Sequence, residues 1–206
     1  MTALAVLAGY LIGSIPTGLL IIRWLRGVDI RTVGSGNIGA TNVYRVAGLP
    51  VAILVLLIDA LKGAGPVLVA RTLAVPPWGE VLAGLAAIIG HNWSAFMRLA
   101  GGKGIATSFG VLAALSPAAA GVAVAAWLVI AALTRYASLA SILAMATVPL
   151  TMGLRREPWE HLAFGGLALV FSSYRHRLNI VRLFAGTELK ITDRAQNKTV
   201  RGVPRA

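Results

Sequence analysis

The sequence predicts an all-α polytopic membrane protein, on three observations. Hydrophobic residues fill 57% of the 206 positions and charged residues only 13%, giving a mean hydropathy of +0.79 that soluble domains of this length rarely reach. Apolar runs close to bilayer length recur along nearly the whole chain. Basic residues collect at the ends of those runs, where a membrane boundary accounts for them. The chain reads as a single integral membrane domain over residues 1–192, with a polar, disordered tail at 193–206. The first apolar run lacks the basic start and cleavage site of a signal peptide. The absence of cysteine excludes disulfides, thiolate nucleophiles and cysteine metal sites. A net charge of +12 raises the question of nucleic acid. That would need a solvated basic face, so no nucleic-acid partner is expected.

The first span covers residues 2–22 and ends at Arg23 and Arg26; a polar loop follows over 27–48. The second runs over 49–70 to Arg71, with Pro76-Pro77 making the turn, and the third over 81–97. Residues 105–134 are nearly uncharged but interrupted at Ser116-Pro117, so they make either one long span or two, the first of them short. The last two spans cover 139–154 and 162–173. Charge decides the ambiguous region. With two crossings, fifteen of the 19 Lys and Arg fall on one side; with one crossing the basic residues divide almost evenly. The positive-inside rule selects two crossings. The expectation is therefore about seven transmembrane helices, N-terminus outside and C-terminus cytoplasmic. The fourth would be only 12–16 residues long, about 18–24 Å against about 30 Å of hydrocarbon. This topology brings the polar loops 29–45, 98–104, 135–141 and 174–182 to the cytoplasmic face.

Those loops carry the candidate chemistry. In VGSGNIGATNVYR, 33–45, glycines let backbone N–H groups converge on an anion while Ser, Asn and Thr add side-chain bonds; Arg45 has the fork for a phosphate. The plainer alternative is a connector. AGGKGIATS, 100–108, sets glycines around Lys103 just before an apolar helix, which places N–H groups and a positive helix end beside one cation. It is not a Walker A motif, since Met97 stands where the first glycine belongs and Gly104 replaces the Ser or Thr that would hold Mg²⁺; a basic boundary turn is the alternative. Asp59 and Lys62, at i,i+3 inside the second span, form either a structural pair or a functional one. His91 bonds a neighbouring helix or takes part in the chemistry. Ser141 faces the site or caps a helix. On 172–188, His176 and Asn179 share a face of an interfacial helix among Arg175, Arg177 and Arg182. His176 there can steer a proton or bind phosphate, while the arginines suit anionic lipid head groups.

Other chemistries lack their residues. There is no GxSxG elbow and no Ser-His-Asp set, and no histidine has a metal-ligand partner at a sensible spacing. No His is followed five residues later by Asp. The seven acidic residues form no cluster suited to Mg²⁺. Neither metal nor cofactor is expected.

Taken in order, GSIPTG (13–18), SGNIGATNVYR (35–45), DALKG (59–63), GHNWSAF (90–96), GGKGIAT (101–107), LTRYASLASI (133–142) and YRHRLNIVRLFAGTE (174–188) resemble the acyl-phosphate:glycerol-3-phosphate acyltransferases of bacterial inner membranes, the PlsY type. The resemblance spans residues 1–192. It implies acyl transfer from acyl phosphate to the 1-hydroxyl of sn-glycerol 3-phosphate, giving lysophosphatidate and inorganic phosphate in the first step of bacterial phospholipid synthesis. It further implies that Gly101, Gly102, Lys103 and Gly104 hold the acyl-phosphate head. Ser35, Asn37 and Arg45 would bind glycerol 3-phosphate, with Ser35, His176 and Asn179 as the catalytic set. Glu188 would be structural, pinning the arginine-rich segment; Thr41, Lys62 and Ser141 are secondary candidates. Direct transfer without a covalent acyl-enzyme is expected, as is a monomer among membrane lipids. The rival class is an anion or glycerophosphate transporter built around Asp59 and Lys62.

Overall fold

The computed structural model describes residues 1–193, and all of its regular structure there is helical. The predicted tail, 193–206, lies outside the described residues except for Asp193. Helices α1 (Thr2–Ser14) and α2 (Thr17–Arg26) form the first apolar segment; α3 (Ala40–Ala47), α4 (Leu49–Thr72) and α5 (Pro77–Asn92) follow. Next come α6 (Ile105–Leu115), α7 (Pro117–Thr134), α8 (Ala137–Leu154), α9 (Trp159–Arg175) and the short α10 (Arg177–Phe184). Among the described residues, four segments are long and apolar enough to cross a membrane: Thr2–Arg26, Leu49–Thr72, Pro117–Thr134 and Ala137–Leu154.

Several expected boundaries need correction. The first span holds as Thr2–Arg26 but is broken inside: Pro16 has no N–H to donate, and the chain turns at Ile15 before α2 begins. The carbonyl of Ile15 takes a 2.8 Å hydrogen bond from Lys62 Nζ instead. The loop 27–48 contains α3, which ends at Gly48 with φ +84°. The span expected over 81–97 stops at Asn92, because Ser94 turns into a tight loop whose N–H bonds Ala100 and whose hydroxyl bonds the Ser14 carbonyl. The interruption at Ser116-Pro117 is a real helix break. Pro117 opens α7, and the Ser116 hydroxyl oxygen caps it by accepting from the Ala119 N–H.

Helix α1 packs on α5, α4 on α6, and α7 on α8, with α9 closing against α5 and α8. Glycine makes two of these crossings possible. A side chain at Gly13 would strike the Ala87 backbone, and one at Gly110 the Ala60 backbone, so the helices approach as only small residues allow. The main core gathers Val67, Leu85, Ile88, Leu112, Met145 and Phe164 between α4, α5, α6, α8 and α9. A second cluster around Ile22, Ile30, Val43 and Val55 seats the 27–48 segment against α2 and α4.

Candidate active site

A cavity of about 580 Å³ opens between the 34–45 segment, the start of α6, the start of α8 and the α9–α10 junction. Ser35, Asn37, Thr41, Arg45, Lys103, Gly104, Ser141, His176, Asn179 and Glu188 all line it. Gly101 and Gly102 stand behind Lys103 rather than on the wall; Lys62 does not line it either, but its ion-pair partner Asp59, 2.8 Å away, does, together with His91.

The 34–45 segment owes its shape to Asn42, a buried residue absent from the expected site. Its amide nitrogen donates to the carbonyls of Ile30, Val33 and Asn37 at 3.3, 3.1 and 2.9 Å, and its Oδ1 accepts from the Ser35 N–H at 3.0 Å. Gly34 and Gly36 take φ of +57° and +74°, a region that glycine enters without penalty. Asn37 Oδ1 accepts from the Gly39 N–H at 2.9 Å, which leaves its NH₂ free to face the cavity. Arg45, one turn into α3, is anchored by Nη2 to the carbonyls of Leu189 and Lys190, and its buried Nε has no partner among the described residues.

Across the cavity, Lys103 Nζ donates to Asn179 Oδ1 at 2.6 Å. Asn179 Nδ2 donates in turn to Glu188 Oε1, which also accepts the Ser138 hydroxyl at 2.8 Å, while Glu188 Oε2 accepts Arg182 Nε at 2.8 Å. Burial alone would raise the Glu188 carboxyl. The hydrogen bonds from Asn179, Arg182 and Ser138 outweigh it and hold the group below its usual value. Burial pulls the Lys103 ammonium down to about 8, against the attraction of Glu188 and with the help of Arg182, Arg45 and Arg175. Lys103 thus remains a cation at neutral pH beside the first turn of α6, whose leading N–H groups have no intrahelical partner.

His176 joins α9 to α10. Its Nδ1 lies 2.9 Å from the Ser172 carbonyl, which can only accept, so the proton sits on Nδ1 and Nε2 keeps its lone pair. Burial, with Lys103 nearby, lowers this imidazole to about 4, so it is neutral at physiological pH. Beyond these polar groups the cavity becomes an apolar lane walled by Leu56, Phe109, Ala113, Val124, Trp127 and Leu128. One end therefore suits phosphate and hydroxyl groups and the other a hydrocarbon chain.

A family model described as Glycerol-3-phosphate acyltransferase matches residues 3–186. The chain belongs to that family. Among curated glycerol-3-phosphate acyltransferases, that of Desulforudis audaxviator is 48% identical over 198 residues, covering 94% of this chain and all of the relative. That of Myxococcus xanthus is 49% identical over 189 residues, covering 91% and 98%. The crystal structure of PlsY (YgiH), an integral membrane glycerol 3-phosphate acyltransferase, superposes in its glycerol 3-phosphate form with a TM-score of 0.88 at 40% identity, covering 92% of this chain and 94% of that one. Its lysophosphatidic acid form gives 0.86 at 39% identity over the same shares.

Within this acyltransferase-family chain, one secondary candidate and two residues outside the expected site show how the cavity walls are held. Ser141 faces the cavity, but its hydroxyl donates to the Ala137 carbonyl at 2.6 Å and accepts Trp127 Nε1 at 3.1 Å. Ser138, absent from the expected site, holds Glu188 by donating its hydroxyl to Oε1. Arg175, grouped with the lipid-facing arginines, points into the protein and bonds the carbonyls of Gly101 and Gly102. Only its place at the end of an apolar helix, next to His176, could have hinted at this.

Proposed function

We propose that the protein transfers an acyl group from acyl phosphate to the 1-hydroxyl of sn-glycerol 3-phosphate, releasing lysophosphatidate and inorganic phosphate. The observation that carries this is one cavity with two anion-suited loops at its polar end and an apolar lane leading away from them. Ser35, Asn37 and Arg45 hold glycerol 3-phosphate. Lys103, Gly104 and the leading amides of α6 hold the acyl-phosphate head, and the acyl chain lies along Phe109, Ala113 and Trp127.

The hydroxyl oxygen attacks the carbonyl carbon, the carbon–oxygen bond to phosphate breaks, and phosphate departs with both electrons. Lys103 and the α6 amides stabilise the charge gathering on the leaving group, so the acceleration comes from position and electrostatics rather than from a covalent acyl-enzyme. His176 Nε2, Asn179 and Ser35 aim the hydroxyl. A phosphate oxygen of the donor, with the monoester value of about 6 or higher as the acyl bond breaks, is a stronger base than His176 at about 4, so the proton leaves with inorganic phosphate. His176→Gln, which keeps an acceptor, should then lose about tenfold in kcat, and His176→Ala about 10²- to 10³-fold. The acid side of the kcat/KM profile should show no limb near 6.5 from His176. An alkaline limb near 8 should mark the loss of the Lys103 charge as pH rises through its lowered value. An acid limb near 6.5 that His176→Gln abolishes would return His176 to the role of general base.

The protein would act as a monomeric single domain over residues 1–192, embedded in the lipids of the bacterial cytoplasmic membrane. It would have seven crossings, the N-terminus outside and the cavity at the cytoplasmic face. Support for two crossings over 105–134 is that α6 starts at the cavity with Gly104 and α8 starts there with Ser138. The turn between α6 and α7 is tied away from it, Ser116 to Glu157. Purified protein given acyl phosphate and labelled glycerol 3-phosphate should form labelled lysophosphatidate. Uptake into sealed vesicles without product would favour a transporter instead.

A further inference from the structure

The loop that presents Lys103 is gripped from outside the cavity. Arg175, the last residue of α9, donates from Nε to the Gly102 carbonyl at 2.9 Å, and from Nη2 to Gly101 at 3.0 Å and Gly102 at 2.7 Å. Its guanidinium lies 5.2 Å from the centre of the Trp93 ring. On the other flank the His91 carbonyl accepts the Gly102 N–H at 2.9 Å, and a side chain at Gly102 would strike the His91 imidazole. Neither Arg175 nor Gly102 lines the cavity. The two carbonyls therefore point away from the anion site, toward the guanidinium.

That orientation matters because glycine backbones flip easily, and a flipped peptide would aim a carbonyl dipole at a phosphate. We propose that Arg175 is a positioning residue for acyl-phosphate binding, holding the Gly101 and Gly102 carbonyls outward so that Lys103 and the α6 N-terminus face the donor. This rests on the assignment of the Lys103 loop to acyl phosphate. Lysine cannot replace the residue, since the task is a planar fork onto two adjacent carbonyls and not a point charge.

Steady-state kinetics of Arg175→Lys and Arg175→Gln, with Lys103→Met as reference, test the proposal. Both Arg175 variants should raise KM for acyl phosphate about tenfold or more while KM for glycerol 3-phosphate stays within about twofold. Hydrogen exchange of amides 101–106 in Arg175→Lys should quicken, with α4 and α8 unchanged. Normal KM for acyl phosphate in Arg175→Lys, or a parallel rise in both KM values with general loss of protection, would overturn it. If Lys103→Met itself leaves KM for acyl phosphate unchanged, the assignment beneath the proposal fails first. A Lys103 effect without an Arg175 effect refutes the proposal alone.

Discussion

Lys103→Met should lower kcat/KM about 10³-fold or more while leaving the protein as stable as before or slightly more so. The ammonium sits against Asn179 Oδ1 at 2.6 Å, and Lys103 lies two residues ahead of the first residue of α6. Its removal takes away charge stabilisation of the departing phosphate. The fold loses little, because burial already works against this cation, as its lowered value of about 8 indicates. Parallel kinetics and thermal unfolding separate the two effects. A variant that keeps kcat/KM within tenfold of the parent would mean that another group carries the leaving phosphate.

Gly110→Leu should have the largest effect on folding. The position of its missing side chain falls on the Ala60 carbonyl, and Gly63 meets the Thr107 carbonyl reciprocally across the same α4–α6 crossing. The obstacle is backbone, so no rotamer change relieves it. Overpacking of this kind reaches about 3 kcal/mol or more. Gly121, in α7, has open space around it, and Gly121→Leu is the control, expected within about 0.5 kcal/mol of the parent. Thermal unfolding in detergent reads the difference. Equal stability of the two variants would show that the crossing has room to spare.

Much of this was visible in the residues. Apolar runs and charge placement located the long helices to within a few residues, because bilayer-length hydropathy and boundary arginines are local signals. Helix α3 was hidden by the same rule: eight residues within a glycine-rich polar stretch look like loop until tertiary contacts with α4 and α2 stabilise them. The early end of α5 depends on Ser94 reaching Ser14, eighty positions away, and no window along the chain sees that. In the site, Lys103, His176 and Asn179 stood out by type and spacing. Asn42 did not, since its amide is spent on backbone carbonyls even though it borders the cavity. Arg175 was misjudged because a basic residue at a helix end suits both a lipid head group and a buried carbonyl, and only the partner distinguishes them.

The Asp59–Lys62 pair has a consequence for how the protein sits in an energised membrane. Its ammonium is fixed between a carboxylate and the Ile15 carbonyl exposed by the break after α1, and both side chains are almost fully buried. A charge that moves through the bilayer field exchanges about 2.3 kcal/mol per 100 mV. A neutral pair locked in place exchanges none. The pair should therefore add no voltage dependence to turnover, which proteoliposomes assayed with and without a potassium diffusion potential would read, the parent and Lys62→Met being compared.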